Sequence, residues 1–161
     1  MAEARKHIGL REIYGRQHNP QILKWWTLIR APFTDDETPW CAGYVGGVLE
    51  SVGIKSSRSA AARSFMSWGV PLKTPAVGAI VVFWRGSRTA YTGHVGFYVG
   101  KDQHGNIMVL GGNQSDKVSI APFSSARLLG YRWAAGEPLP GDLRAPNKVV
   151  KSDGKVSTNE A

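Results

Sequence analysis

An α+β fold is predicted by three features of the chain. Apolar residues keep a helical spacing up to Trp68, the period shifts towards two after Pro75, and Gly69, Pro71 and Pro75 punctuate the change. Helices first and a strand meander second is the order expected of segregated α and β layers. With 161 residues, 42% of them hydrophobic and six of them Trp, the chain has enough apolar material for one substantial core. A second full domain would not fit.

The elements follow in order. Ile8, Leu10 and Ile13 among charges predict a short helix from Ala2 to about Gly15. Asn19 caps a second helix that starts on Pro20, carries Ile22, Leu23, Trp25, Trp26 and Ile29, and ends before Ala31-Pro32. After the acidic Asp35-Asp36-Glu37, a third helix is expected with Thr38 as N-cap and Pro39 in its first turn. Cys41, Val45, Val48, Leu49 and Val52 form its apolar stripe, and Gly53 closes it. Ser59 to Trp68 reads as a fourth, shorter helix. Strands are expected at 79–84, 94–99, 107–110, 118–120 and 128–133. A single domain over residues 1–135 would then be followed by a flexible basic tail over 136–161, rich in Pro, Gly and charge, with Arg144, Lys148, Lys151 and Lys155.

Composition narrows the functions. Charges at Glu3, Arg5, Lys6 and Arg11 interrupt the start where a signal peptide would be apolar, and the longest apolar run is too short to span a bilayer. The expectation is cytoplasmic synthesis without stable membrane insertion. The net charge of +8 favours polyanionic partners, yet the basic residues are dispersed and no nucleic-acid-binding motif is present. With one cysteine no intrachain disulfide can form, so Cys41 is either a packing residue or a reactive thiol.

The chemistry gathers at three places. Thr38-Pro39-Trp40-Cys41 puts the sulfur in the first turn of a helix, where free N–H groups and the helix dipole favour thiolate, and where the Cys41 amide can face an oxyanion. The same position is also a natural place for a small buried hydrophobe. In Gly93-His94-Val95-Gly96-Phe97-Tyr98-Val99-Gly100, alternation puts His94, Gly96 and Tyr98 on one face, and Gly96 signals a close approach. In Gly111-Gly112-Asn113-Gln114, Asn113 could accept the His94 ring N–H or could simply make a turn. Trp84 and Tyr98 are candidates for a substrate groove or for the core, and His7, His18 and His104 read as surface residues.

These segments, Asp35 to Ala42, Gly93 to Gly100 and Gly111 to Asp116, together resemble the CHAP-type and NlpC-type cysteine peptidoglycan hydrolases, and most of all their compact phage lysins. The resemblance runs from about Glu3 to Trp133. It implies a papain-like core with Cys41 as nucleophile, His94 as base and then acid, and Asn113 as the orienting third member. Asp36, Trp40, Trp84, Tyr98 and Gln114 are the candidate substrate contacts. A departure is that Asp35 and Asp36 stand where papain-like enzymes often have an oxyanion-donating Gln, and an ionised carboxylate can only accept. The implied substrate is bacterial peptidoglycan, cut at the muramoyl–L-alanine amide or within the stem peptide, without metal or organic cofactor. The implied protein is a monomeric phage-type endolysin acting at the cell wall, with anionic wall polymers and a holin or delivery apparatus as further partners. Two alternatives stand beside it. One is a non-catalytic wall-binding or phage structural domain on the same fold. The other is a zinc amidase using His94, His104 and Asp116, whose spacing fits no metal motif.

Overall fold

The computed structural model describes residues 1–140 and 149–158. Its helices are α1 (Ala2–Arg5), α2 (Pro20–Leu28) and α3 (Cys41–Ser51), with a 3₁₀ segment at Ala62–Ser67. Its strands are β1 (Val70–Leu72), β2 (Ile80–Trp84), β3 (Gly93–Lys101), β4 (Ile107–Gly111), β5 (Ser119–Phe123) and β6 (Leu128–Trp133), with a second 3₁₀ turn at Ser125–Arg127 before β6. All pair antiparallel in one sheet of order β1-β6-β2-β3-β4-β5. The expected α+β architecture is present.

α2 starts as its sequence dictates, with Pro20 in the first turn and the Asn19 side chain accepting from the Gln21 amide. It packs on α3 through Gly43, Gly46 and Gly47, where a Cβ would run into Trp26, Ile29 and Trp25. Three glycines weaken a helix by about 1 kcal/mol each, so α3 is held by burial against its neighbours rather than by propensity. Every residue from Cys41 to Leu49 is buried. α3 then covers one face of the sheet, with Tyr44 edge-on to Phe97.

The sheet has apolar residues on both faces. Ile80, Val82, Val95, Phe97, Met108 and Leu110 face the helices. Ala79, Val81, Phe83, Tyr98, Val109, Phe123 and Tyr131 make a second cluster on the other face. This is the alternation that period-two patterning predicts when both sides are covered.

Several elements differ from expectation. The first helix stops at Arg5, because Gly9 adopts φ +93° and its amide turns to the Val118 carbonyl. The fourth helix is only a 3₁₀ segment. Val70–Leu72, whose Pro71 read as a breaker, is an edge strand on β6, a position where a missing N–H is tolerated. The segment expected to be a flexible tail is held where it is described. Val150 N–H donates to Lys101 O, Ser152 Oγ to Asp102 Oδ2 at 2.6 Å, and Ser157 N–H to Pro122 O. Asp102, buried at the turn after β3, also accepts from His104 N, Asn106 N and Asn106 Nδ2. Arg144 and Lys148 lie outside the described residues.

Candidate active site

Cys41 is the first residue of α3, with Trp40 rather than Thr38 at the cap position. Asp35 takes the capping work upstream, accepting from the Glu37 and Thr38 amides. The sulfur is almost wholly enclosed, at 4% exposure. His94 is the second residue of β3, opposite Phe83 on β2, and is completely buried.

The imidazole is fixed on two sides. Its ring lies flat on Phe123, centroids 4.9 Å apart and planes within 6°. Its Nε2 is 3.0 Å from Gln114 Oε1. The direction of that bond follows from the other end of the amide. Gln114 Nε2 is 2.8 Å from Ser119 O and 3.3 Å from Val109 O, and carbonyls can only accept. The NH₂ therefore points to the carbonyls, Oε1 points to His94, and His94 carries its proton on Nε2. Nδ1 keeps its lone pair. Among the described residues it makes no hydrogen bond, to the Cys41 sulfur or to anything else. Burial pushes the His94 pKa down to about 4; the Gln114 bond opposes this and the Arg127 and Arg85 charges add to it. The ring is neutral at neutral pH, which is the state a base requires.

Two consecutive glycines bring this side to the thiol's helix. A Cβ on Gly111 would collide with Gln114 Oε1 and come within 3.1 Å of His94 Nε2, whereas one on Gly112 would lie 2.6 Å from Tyr44 Cβ and 2.7 Å from Trp40. Gly111 therefore abuts the imidazole and Gly112 the residues on either side of Cys41. Asn113, buried and left-handed at φ 57°, follows them and turns the chain so that Gln114 points inward.

Other expected contacts have different work. Asn113 is not the acceptor on His94; Gln114, expected to touch substrate, is. The turn residue had the more familiar triad chemistry, but the longer side chain one position later reaches the ring. Asp36 is wholly buried, receives the Ile13 and Asn19 amides at 2.8 Å each, and faces His18 Nδ1 at 3.0 Å. Burial pushes its carboxyl up, but these donors outweigh that and hold it below the ordinary value. It pins the N-terminal segment. Trp40 is buried too, stacked on Trp25 with its indole N–H on Glu12 Oε1 at 2.7 Å. Tyr98 belongs to the second core cluster, edge-on to Tyr131. Trp84 is half-buried and donates to Ala126 O. Gly96 admits Val109 of β4, not a helix. His18 is engaged with Asp36, and His7 lies edge-on to Trp25, so neither is a plain surface residue. Sequence reasoning missed Phe123, Arg127 and Ser119, because nothing local marks a residue whose role is to face another strand.

His104 sits beside Gly154 and Asp116 beside Tyr14, and among the described residues no group of His, Cys, Asp and Glu is arranged to hold a metal ion. Within the same residues no helix is long and apolar enough to cross a membrane.

Among solved structures, the chain is similar to a Staphylococcus aureus subsp. aureus Mu50 protein described as similar to lipoprotein, NLP/P60 family. The two share 19% identity with a TM-score of 0.51 over 85% of this chain and 40% of that one. The likeness is one of fold, and the chain spans about two-fifths of that protein's length. A search of curated proteins finds no significant match. The CHAP domain family model matches residues 33–113, half of the chain, a span that contains Cys41, His94 and Asn113 and ends one residue before Gln114. The chain therefore belongs to the CHAP domain family.

Proposed function

We propose that the protein hydrolyses an amide bond of the peptidoglycan stem peptide, with Cys41 as nucleophile, His94 as base and acid, and Gln114 as the residue that orients His94. CHAP domains are peptidoglycan hydrolases of the cysteine amidase or peptidase type. The observation that carries the reading is the locked imidazole: a neutral buried ring with its N–H committed to Gln114 and its Nδ1 lone pair uncommitted.

In the reaction, Nδ1 takes the thiol proton as sulfur attacks the amide carbonyl. The amide of Cys41, first in α3, steadies the oxyanion. His94 returns the proton to the departing amine, and the C–N bond breaks to leave a thioester. Water, deprotonated by the same nitrogen, then releases the acid and restores the thiol. The stacking on Phe123 and the Gln114 bond keep the ring in one plane through both proton transfers.

The finer assignment, a monomeric phage-type endolysin delivered through a holin or other apparatus, rests on the resemblance of motif order to compact lysins. Digesting purified peptidoglycan and identifying the new termini by mass spectrometry tests the activity and names the bond. Cys41→Ala should fold normally and release nothing. Equal release by that variant would end the cysteine mechanism. The near-complete enclosure of Cys41 favours one second reading, a non-catalytic wall-binding or phage structural domain. Failure of a thiol reagent to label Cys41 in the folded protein, together with intact peptidoglycan, would select it.

A further inference from the structure

The start of α3 and the loop that carries Gln114 are joined by a short stretch of the N-terminal segment. Residues 9–12 run antiparallel to residues 116–118. Gly9 N–H donates to Val118 O at 2.9 Å, Val118 N–H to Leu10 O at 2.8 Å and Glu12 N–H to Asp116 O at 3.2 Å, with Arg11 bridged to Lys117. The half-buried Glu12 side chain accepts the Trp40 indole N–H at 2.7 Å. Trp40 is the residue before Cys41, and its carbonyl opens α3 by accepting the Tyr44 amide at 2.8 Å. Its ring lies where a Cβ on Gly112 would come within 2.7 Å. These contacts close on themselves. They run from the Glu12 carboxylate to Trp40, from Trp40 to Gly112, along the chain to Asp116, and from the Asp116 carbonyl back to the Glu12 amide.

The stretch enclosed by this circuit does not hold its own shape. Asn113, Ser115 and Asp116 are left-handed at φ 57°, 52° and 59°, a conformation that residues other than glycine keep only where their surroundings impose it. Gln114, whose Oε1 fixes His94, stands among them. The acid at position 12 is itself placed against its preference. Burial pushes the Glu12 carboxyl above its ordinary value, the Asp116, Asp36 and Glu37 charges add to this, and the Trp40 bond opposes it. A glutamine could accept the same N–H without that penalty, but a carboxylate accepts more strongly. The residue therefore suits a firm hold on one indole rather than the most stable resting place for an acid.

We propose that Glu12 is a positioning residue for the proposed hydrolysis, which ties the Trp40 indole and the Asp116 carbonyl to one point and so sets where the Cys41 end of α3 stands relative to His94 and Gln114. The role rests on the peptidoglycan-hydrolase reading for the reaction that it serves. Glu12 itself touches neither the thiol nor the imidazole. It acts through Trp40 on one side and through the Gln114 loop on the other, so its loss should slow the chemical step while leaving the binding of substrate nearly as it was.

Steady-state kinetics on soluble peptidoglycan fragments compare the full-length parent with Glu12→Ala, Glu12→Gln and Trp40→Phe. Glu12→Ala should lower kcat about tenfold with KM changed less than about twofold, and Glu12→Gln, which keeps an acceptor for the indole, should regain most of the loss. In the Trp40→Phe background, where the indole N–H is gone, adding Glu12→Ala should change kcat less than about twofold. Trp40→Phe alone removes the same bond and takes the place of Glu12→Ala if that variant does not fold. A second readout needs no substrate. Nitrogen NMR of the His94 ring in isotope-labelled protein should show one tautomer in the parent and a mixture in Glu12→Ala, as the Gln114 loop loosens. A folded Glu12→Ala that matches the parent in kcat and in its ring signals, and loses only melting temperature, would overturn the positioning role and leave the hydrolase reading standing. A ring that changes tautomer in Glu12→Ala, beside a parent that cleaves no peptidoglycan, would keep the positioning role and remove the hydrolase reading.

Discussion

Gln114 Oε1 lies 3.0 Å from His94 Nε2, and the other end of the same amide is tied to Ser119 and Val109. The tautomer of the proposed base is therefore decided two strands away from the base itself, at the carbonyl of Ser119 on β5.

Replacing Gln114 by Ala should lower turnover about ten- to a thousandfold with substrate binding little changed, since an unheld imidazole samples the wrong tautomer and plane. Gln114→Glu should retain part of the activity and raise the acid limb of the pH profile, because a carboxylate stabilises the imidazolium. Asn113→Gly should stay within about threefold of the parent, as Gly accepts the left-handed backbone found there. Steady-state kinetics across pH compare the three. A collapse of Asn113→Gly beside a healthy Gln114→Ala would return the orienting role to Asn113.

The buried histidine also fixes a window of acid sensitivity. Its pKa falls from 6.5 to about 4 on folding, so above pH 6.5 both folded and unfolded chains hold it neutral and it contributes nothing. Between pH 6.5 and 4 the unfolded chain binds a proton that the folded chain refuses. Stability must then fall as pH falls, by about 3 kcal/mol across the window. Chemical denaturation of the parent should show this decline, and His94→Gln should flatten it. Losses below pH 4 belong to carboxylates such as Glu50 and Asp102, whose pKa values are held down to about 2. A parent as stable at pH 4.5 as at pH 7 would contradict the burial of a neutral ring.

Removal of the segment after Pro140 should lower the melting temperature, because Ser152, Val150 and Ser157 tie it to Asp102, Lys101 and Pro122. Each kcal/mol lost should cost about 2–4 °C in a chain of this size. Ser152→Ala should reproduce part of the drop by leaving buried Asp102 short of a donor. Differential scanning calorimetry decides it, and unchanged melting in both proteins would make the segment a passive tail.

How far the sequence could be read depended on whether a residue's role is local. The place of Cys41 at a helix start was legible because Pro39 and the apolar stripe behind it mark one, and the place of His94 on a strand because Gly93 and Gly96 interrupt an apolar run around it. Both motifs are complete within a few residues. Gln114 was only half legible. Its place after Gly111-Gly112-Asn113 was visible, but which of two adjacent amides reaches the ring depends on the left-handed turn at Asn113 and on Ser119, which pairs with Gly111 across the sheet. Trp40 and Asp36 misled for a related reason. A tryptophan and an acid next to a nucleophile suit substrate as well as they suit a core, and only Trp25 and the Ile13 and Asn19 amides, supplied from the N-terminal segment, separate the two. The docked C-terminal segment was invisible because its anchors are backbone groups and one serine, which composition does not register.

The glycine face of α3 ties reactivity to the assembled fold. A helix opening on Cys41 and carrying Gly43, Gly46 and Gly47 has little tendency to form alone, and its rigidity comes from Trp25, Trp26 and Ile29 of the neighbouring helix region. The polarity that would activate the sulfur thus exists only after those side chains have docked. Under the proposed mechanism, an incompletely folded chain carries an ordinary thiol, and Cys41 gains its nucleophilic setting only as the native packing forms.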